Sequence, residues 1–332
     1  MGKKSFFVVL IISYCLNVHA QSTIGLTGKR DTSYSTYTAY ESTKKTHPDI
    51  KIVPEVHSDS VKETKNITYC AIGDRQLYMD GFYPTKTGTV PKPAILIIHG
   101  GGWRTGNRTQ HYPLAQRLAA LGYICYTPEY RLSTEALYPA AVYDLKSVLR
   151  WMHANAKKEN IDTAKIAVLG FSAGGELAAF LGTTIGNPQF DSSGCNLTSS
   201  TQLQAIVDID GTLSFVHPES GEGDDSRSTS AATYWFGYPK KDKPELWQDA
   251  SPLAHVGKQT PPILFINSSV SRMHAGREDF IKVLHQHNIY SEVHTFSDAP
   301  HSFCLFEPWF EPTINYTVKF LDKVLKDGKK SK

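Results

Sequence analysis

From Asn66 onward the chain switches between two rhythms: short runs that stay apolar throughout, and longer stretches apolar on one face only. The first kind suits a strand buried on both sides and the second a helix lying on a sheet. Ile67 to Ile72 and Leu77 to Tyr83, parted by Gly73-Asp74, predict an antiparallel hairpin. Strands are then expected at Ala94 to His99, Tyr123 to Tyr130, Lys165 to Leu169, Ala205 to Ile209, Ile263 to Ile266 and Ser291 to Phe296. Helices fall between and after them, at about Thr109 to Leu121, Ala140 to Asn155, Gly175 to Thr183, Ala275 to Asn288 and Pro312 to Leu325. In the second of these, Val142, Leu145, Val148, Leu149 and Met152 share one face. This alternation predicts a single α/β domain over residues 66–332, a mostly parallel central sheet with helices on both faces. One interruption, about residues 212–256, holds an acidic Gly-rich loop and an aromatic cluster, and reads as a small cap-like insertion over the carboxyl ends of the strands. Residues 21–65, rich in Ser, Thr, Lys and Tyr, read as a lead-in that drapes over the domain.

Composition narrows the class. The chain has 332 residues, 40% of them hydrophobic, enough for one large domain and too few for two. A net charge of +3 is spread without a basic block, so nucleic acid is not the expected partner. The first 20 residues have the layout of a cleavable export signal: Lys3 and Lys4, an apolar stretch from Ser5 to Leu16, then Val18-His19-Ala20 before a cut ahead of Gln21. That stretch is too short to span a bilayer, and no later one is long and apolar enough. A lipid anchor on Cys15 is the rival reading, with bulky Tyr14 against it. A secreted or periplasmic protein is therefore expected. Cys70, Cys125, Cys195 and Cys304 remain after cleavage, of which Cys125, inside an apolar run, reads as a small buried hydrophobe. No Cys/His spacing resembles a zinc site.

Three motifs carry chemistry. Gly170-Phe171-Ser172-Ala173-Gly174 follows an apolar strand and opens a helix, a corner that forces a serine into a tight turn with its hydroxyl exposed. His99-Gly100-Gly101-Gly102-Trp103 follows the earliest buried strand, and its glycines let backbone N–H groups turn toward a developing oxyanion. Gly101, Gly102 and Ala173 are the expected donors, and His99 is expected to brace the loop. His301, in Asp298-Ala299-Pro300-His301-Ser302-Phe303, follows the last strand, where a catalytic base belongs.

With Tyr130-Arg131-Leu132 added, these motifs resemble the hormone-sensitive-lipase-like, feruloyl and acetyl-xylan esterase-like branch of the α/β-hydrolases, over about Asn66 to Leu325. The resemblance implies hydrolysis of carboxylic esters without a cofactor, Ser172 attacking with His301 as base. One place departs from the pattern. The triad acid is expected a few residues after Ile263 to Ile266, where Ser271 stands instead. Three readings stay open: Asp210, at the end of the preceding strand, as first choice; Asp298, close to His301 in sequence; or a weak dyad. Asp208 is expected to face the core or brace a turn.

Arg272 and His274, with Arg277 nearby, fall beside the expected mouth, and arginine suits bidentate recognition of a carboxylate, such as a uronic acid. Surface ion pairs with Glu278 or Asp279 are the plainer alternative. The acidic run Glu219 to Asp225 lacks regular calcium-ligand spacing. Tyr234, Trp235, Phe236 and Trp247 serve either as sugar-stacking rings or as the core of the insertion. The expected substrate is an esterified carbohydrate, plant-type pectin or xylan, or a small ester. A peptidase of the same fold and a glycan-binding homologue without catalysis are the alternatives.

Overall fold

The computed structural model describes residues 20–86 and 88–326. The expected export signal falls outside the described residues but for Ala20. Eight strands form the central sheet: β1 (Val61–Ile72), β2 (Arg75–Pro84), β3 (Lys92–Ile98), β4 (Ile124–Pro128), β5 (Ile161–Phe171), β6 (Ala205–Ile209), β7 (Ile263–Asn267) and β8 (Ser291–Thr295). Their spatial order is β1-β2-β4-β3-β5-β6-β7-β8. The β1–β2 and β2–β4 pairs are antiparallel and all the others parallel.

The pleat explains why β3 stays apolar throughout. Ala94, Leu96 and Ile98 point into one core, Ile95 and Ile97 into the other. Helices α2 (Ala140–Ala154) and α3 (Ala173–Thr183) cover the first core with Val142, Leu145, Leu149, Leu177 and Phe180. Helices α1 (Tyr112–Ala120) and α5 (Phe310–Leu321) close the second with Leu114, Leu118, Ile314 and Phe320. Phe280 and Leu284 of α4 (Arg277–Gln286) join the first.

Several element ends differ from expectation, each for a local reason. The helix expected from Thr109 starts as a short 3₁₀ turn, Arg108–His111, because Pro113 fits only the first turn of the α-helix that follows. Gly276, at φ +82°, delays α4 to Arg277. The last helix is α-helical to Leu321 and ends in a π turn, Asp322–Lys326. The lead-in ends sooner than Lys65, because β1 already begins at Val61.

The lead-in is well tied down. Its helix Thr36–Thr43 carries a capping box from Ser35 and Thr38, and Lys51–Ile52 pairs with Phe306–Glu307. Gln21 Nε2 donates to the Phe236 carbonyl at 3.0 Å, and the Ser22 N–H to that of Gly237 at 2.7 Å. The Gly106 N–H donates to the Asp31 carbonyl at 3.1 Å, and Thr43 Oγ1 meets Ser302 Oγ at 3.0 Å. Arg30 pairs with Glu129. Cys70 and Cys195 form a disulfide, and Cys125 and Cys304 are free and buried. Among the described residues, no helix is long and apolar enough to cross a membrane.

Candidate active site

β5 ends at Phe171, and α3 begins at Ala173. Between them Ser172 takes φ +57° and ψ −122°, a conformation a non-glycine residue holds only where its surroundings impose it. The flanking glycines are sterically required. A Cβ on Gly170 would lie 1.8 Å from the Gly174 carbonyl oxygen, and one on Gly174 would lie 2.2 Å from that of Ile98. The neighbouring strand repeats the turn. Phe171 pairs with Ile209, so Ser172 and Asp210 leave the sheet side by side, Asp210 at φ +53°.

His301 lies between them. Its Nε2 is 2.8 Å from Ser172 Oγ, and its Nδ1 is 2.9 Å from Asp210 Oδ2. A carboxylate at Nδ1 fixes the proton on that nitrogen and leaves Nε2 free to accept from the serine hydroxyl. Asp210 is fully buried, and its Oδ1 accepts from the Ser268 N–H at 2.7 Å and from Asn267 Nδ2 at 3.4 Å. The structure thus brings Ser172, His301 and Asp210 together. Asp298 turns elsewhere, accepting from Trp309 Nε1 at 3.3 Å, and Ser271 is exposed at the start of a 3₁₀ turn. Asp208 is buried and braces its turn by accepting from the Gly211 N–H at 2.7 Å. Burial, and after it the nearby Asp210, pushes its carboxyl well above the usual range.

In the glycine loop, Gly101 has φ +122°, Gly102 +59° and Trp103 +56°. A Cβ on Gly101 would meet the Thr105 carbonyl oxygen at 2.0 Å, so this turn admits glycine alone. His99 stacks on Tyr130 with centroids 4.4 Å apart, and its Nδ1 donates to the Gly100 carbonyl at 2.8 Å. Burial pushes its pKa down to about 3, which keeps it a neutral brace. Trp103 Nε1 donates at 2.8 Å to Glu176 of α3, tying this loop to the helix that Ser172 opens. Burial pushes the Glu176 carboxyl well up.

Gly102, Ser172, Ala173 and His301 share a cleft of about 180 Å³ with Glu222 and Arg272. Gly101 sits one residue behind this lining, its carbonyl accepting from the Arg104 and Thr105 N–H groups. Nothing in the acidic loop's sequence pattern distinguishes Glu222 from its neighbours. The structure also separates the pair expected at the mouth. Arg272 lines the cleft, but His274 packs behind Asp210, its Nε2 3.1 Å from the Ser268 carbonyl and 3.7 Å from Asp210 Oδ1. Partial burial lowers the pKa of that ring. Its expected place as a substrate contact is therefore corrected, because the turn Ser271–His274 points successive side chains in different directions. Arg277 bonds Asn267 Oδ1 at 2.7 Å and Glu278 at 2.6 Å.

The aromatic residues of the insertion divide. Trp235, Phe236 and Trp247 are fully buried against Trp103, Phe215 and Tyr138, and form its core. Tyr234 is half-buried under the Arg104 guanidinium, 4.1 Å from its ring centroid. The acidic loop scatters its carboxylates: Asp225 accepts from the Ser230 N–H at 2.7 Å, while Glu222 turns into the cleft. No cluster of three metal-ligating side chains occurs among the described residues.

Comparison with known proteins agrees with this architecture. The BD-FAE family model matches residues 79–273. Esterase LipC of Mycobacterium tuberculosis is 33% identical over 195 residues, covering 56% of this chain and 45% of LipC. The probable carboxylic ester hydrolase LipM of the same organism is 31% identical over 182 residues, covering 54% of this chain and 41% of LipM. The chain thus spans about half the length of the curated relatives it matches. Among solved structures, a truncated carbohydrate esterase from gut microbiota superposes with TM-score 0.69 at 22% identity, covering 81% of this chain and 100% of that one. Butyrate-bound esterase 2 of Thermogutta terrifontis gives 0.64 at 22%, over 80% and 95% of the two chains. With a family match running through the glycine loop, the serine corner and the end of β7, the chain belongs to the BD-FAE family and has the α/β-hydrolase fold.

Proposed function

We propose that this protein is an exported serine carboxylesterase that removes acetyl or similar acyl groups from a plant-type polysaccharide such as pectin or xylan. The observation that carries the reading is the continuous chain Ser172 Oγ, His301 and Asp210, with links of 2.8 and 2.9 Å at the mouth of a cleft. Ser172 attacks the ester carbonyl while His301 Nε2 takes its proton. The N–H groups of Gly102 and Ala173, with Gly101 behind them, receive the oxyanion. His301 then gives the proton to the leaving alcohol, and a water activated at the same nitrogen hydrolyses the acyl-enzyme. Asp210 holds the ring and offsets its charge in both half-reactions. This route closes without a cofactor.

The names of LipC and LipM support ester hydrolysis, and that of the gut carbohydrate esterase supports a sugar-bearing alcohol. The layout of residues 1–20 and the Cys70–Cys195 disulfide support export to an oxidising compartment. The test is release of acetate from acetylated xylan and acetylated pectin, and of nitrophenol from para-nitrophenyl acetate. Wild type is expected to act on at least one. Ser172→Ala is expected to lose about five to six orders of magnitude in kcat. A wild type that acts on none of the three and is not labelled by a fluorophosphonate would instead be a hydrolase-like binding protein.

A further inference from the structure

The cleft holding Ser172 and His301 has two charged side chains that acyl transfer does not use. Glu222 comes from the insertion and Arg272 from the turn after β7. Arg272 Nη1 stands 3.8 Å from Glu222 Oε1, too far for a direct hydrogen bond and open to a bridging oxygen. The Glu222 side chain is 17% exposed and that of Arg272 is 54% exposed, so the carboxylate is held in the wall while the guanidinium reaches the mouth. Lys240 does not line the cleft; its Nζ donates to the backbone carbonyls of Phe215 and Glu222, at 3.4 and 2.7 Å.

We propose that Glu222 and Arg272 form a subsite for the leaving alcohol that selects a neutral polyhydroxy ring, the carboxylate accepting from one ring hydroxyl and the guanidinium donating to its neighbour. The inference rests on the esterase reading and names the alcohol that reading leaves open. A hydroxyl is donor and acceptor at once, so two adjacent hydroxyls match an acceptor set beside a donor. An arginine alone would favour a carboxylate, as the sequence suggests for Arg272. Burial pushes the Glu222 carboxyl up and Arg272 pulls it back down; ionised, it balances the guanidinium, and a uronate entering between them meets a like charge. On this proposal a neutral sugar, as in xylan, is favoured over the uronate of pectin that Arg272 alone would suggest.

The experiment measures kcat/KM on three esters: a monoacetylated methyl xyloside, cyclohexyl acetate of the same ring size without hydroxyls, and a monoacetylated methyl galacturonoside. Wild type should favour the xyloside over cyclohexyl acetate by about tenfold or more, and over the galacturonoside. Glu222→Gln and Arg272→Gln should each bring the first ratio toward one, and Glu222→Gln should raise the galacturonoside relative to the xyloside. Each readout is a ratio of two esters on one sample, so a partly folded variant does not distort it. Ratios unchanged in both variants, or a wild-type preference for the galacturonoside, overturn the subsite alone. A wild type that hydrolyses none of these esters, nor para-nitrophenyl acetate, removes the esterase reading and the subsite with it.

Discussion

The ends of β6 and β7 lie side by side and have exchanged duties relative to the pattern the chain resembles. The end of β6 carries a buried carboxylate, Asp210, aimed at His301 Nδ1. The end of β7, where that pattern sets its acid, carries Asn267 and Ser268, whose amide and backbone N–H both donate to Asp210. One strand end thus supplies the charge and the other the donors that keep it in place. Each such charge-assisted bond contributes on the order of 1.5–3 kcal/mol, enough to hold a carboxylate away from water. The lesson is geometric: the ring needs an oxygen at Nδ1, and here the end of β6 supplies it while the end of β7 faces that carboxylate instead.

The sharpest way to break this comparison is to remove the charge. Asp210→Asn should lower kcat/KM on para-nitrophenyl acetate by about four orders of magnitude, since the amide offers the ring no anion. Adding Ser271→Asp to that variant should restore nothing, because Ser271 is exposed in the turn beyond β7. Recovery to near wild type would mean that both strand ends serve.

A smaller effect tests the supporting side. Asn267→Leu removes a donor from Asp210 and leaves Arg277 without its 2.7 Å acceptor. Urea unfolding should show a loss of about 1–3 kcal/mol, with a fall in kcat/KM well short of that for Asp210→Asn. Unchanged stability would make Asn267 a bystander.

An effect that leaves activity aside, and shows only in the pH dependence of stability, asks whether charge at this end of the sheet is confined to Asp210 and His301. His111 packs edge-on against Phe171, the residue before Ser172, and burial pushes its pKa down to about 3. Below about pH 6.5 the unfolded chain takes a proton that the fold refuses, so stability falls as pH drops from there toward 3. His111→Phe should flatten that limb by one proton, about 1.4 kcal/mol per pH unit, in unfolding measured from pH 6 to 4. Glu176 and Asp208, whose carboxyls are pushed up, bend the curve the opposite way, but do so equally in both proteins. Parallel curves would show that His111 already binds a proton in the fold.

What the sequence reveals and what it hides follow from how local each feature is. The sheet was legible because its central strands are apolar on both faces, and Ser172 and the glycine loop because each is a short motif behind such a strand. The sequence pattern shortens β1 because it is an edge strand, where Lys62, Lys65 and Asn66 face water and break the apolar run. Asp210 and Asp298 stay rivals in the sequence because choosing between them takes the partner of each, and Trp309, which engages Asp298, makes no signal in a linear pattern. The places of Glu222 and His274 are hidden from the sequence for one reason. Their contacts depend on how an insertion and a 3₁₀ turn fold back over the strand ends.

The segment ahead of β1 has a consequence for anyone drawing the boundary of this molecule. The family match starts at residue 79, yet the glycine loop is bonded to Asp31, the insertion to Gln21 and Ser22, and the residue after His301 to Thr43. An excision at the edge of the family match would therefore cut the ties of all three parts that meet at the cleft.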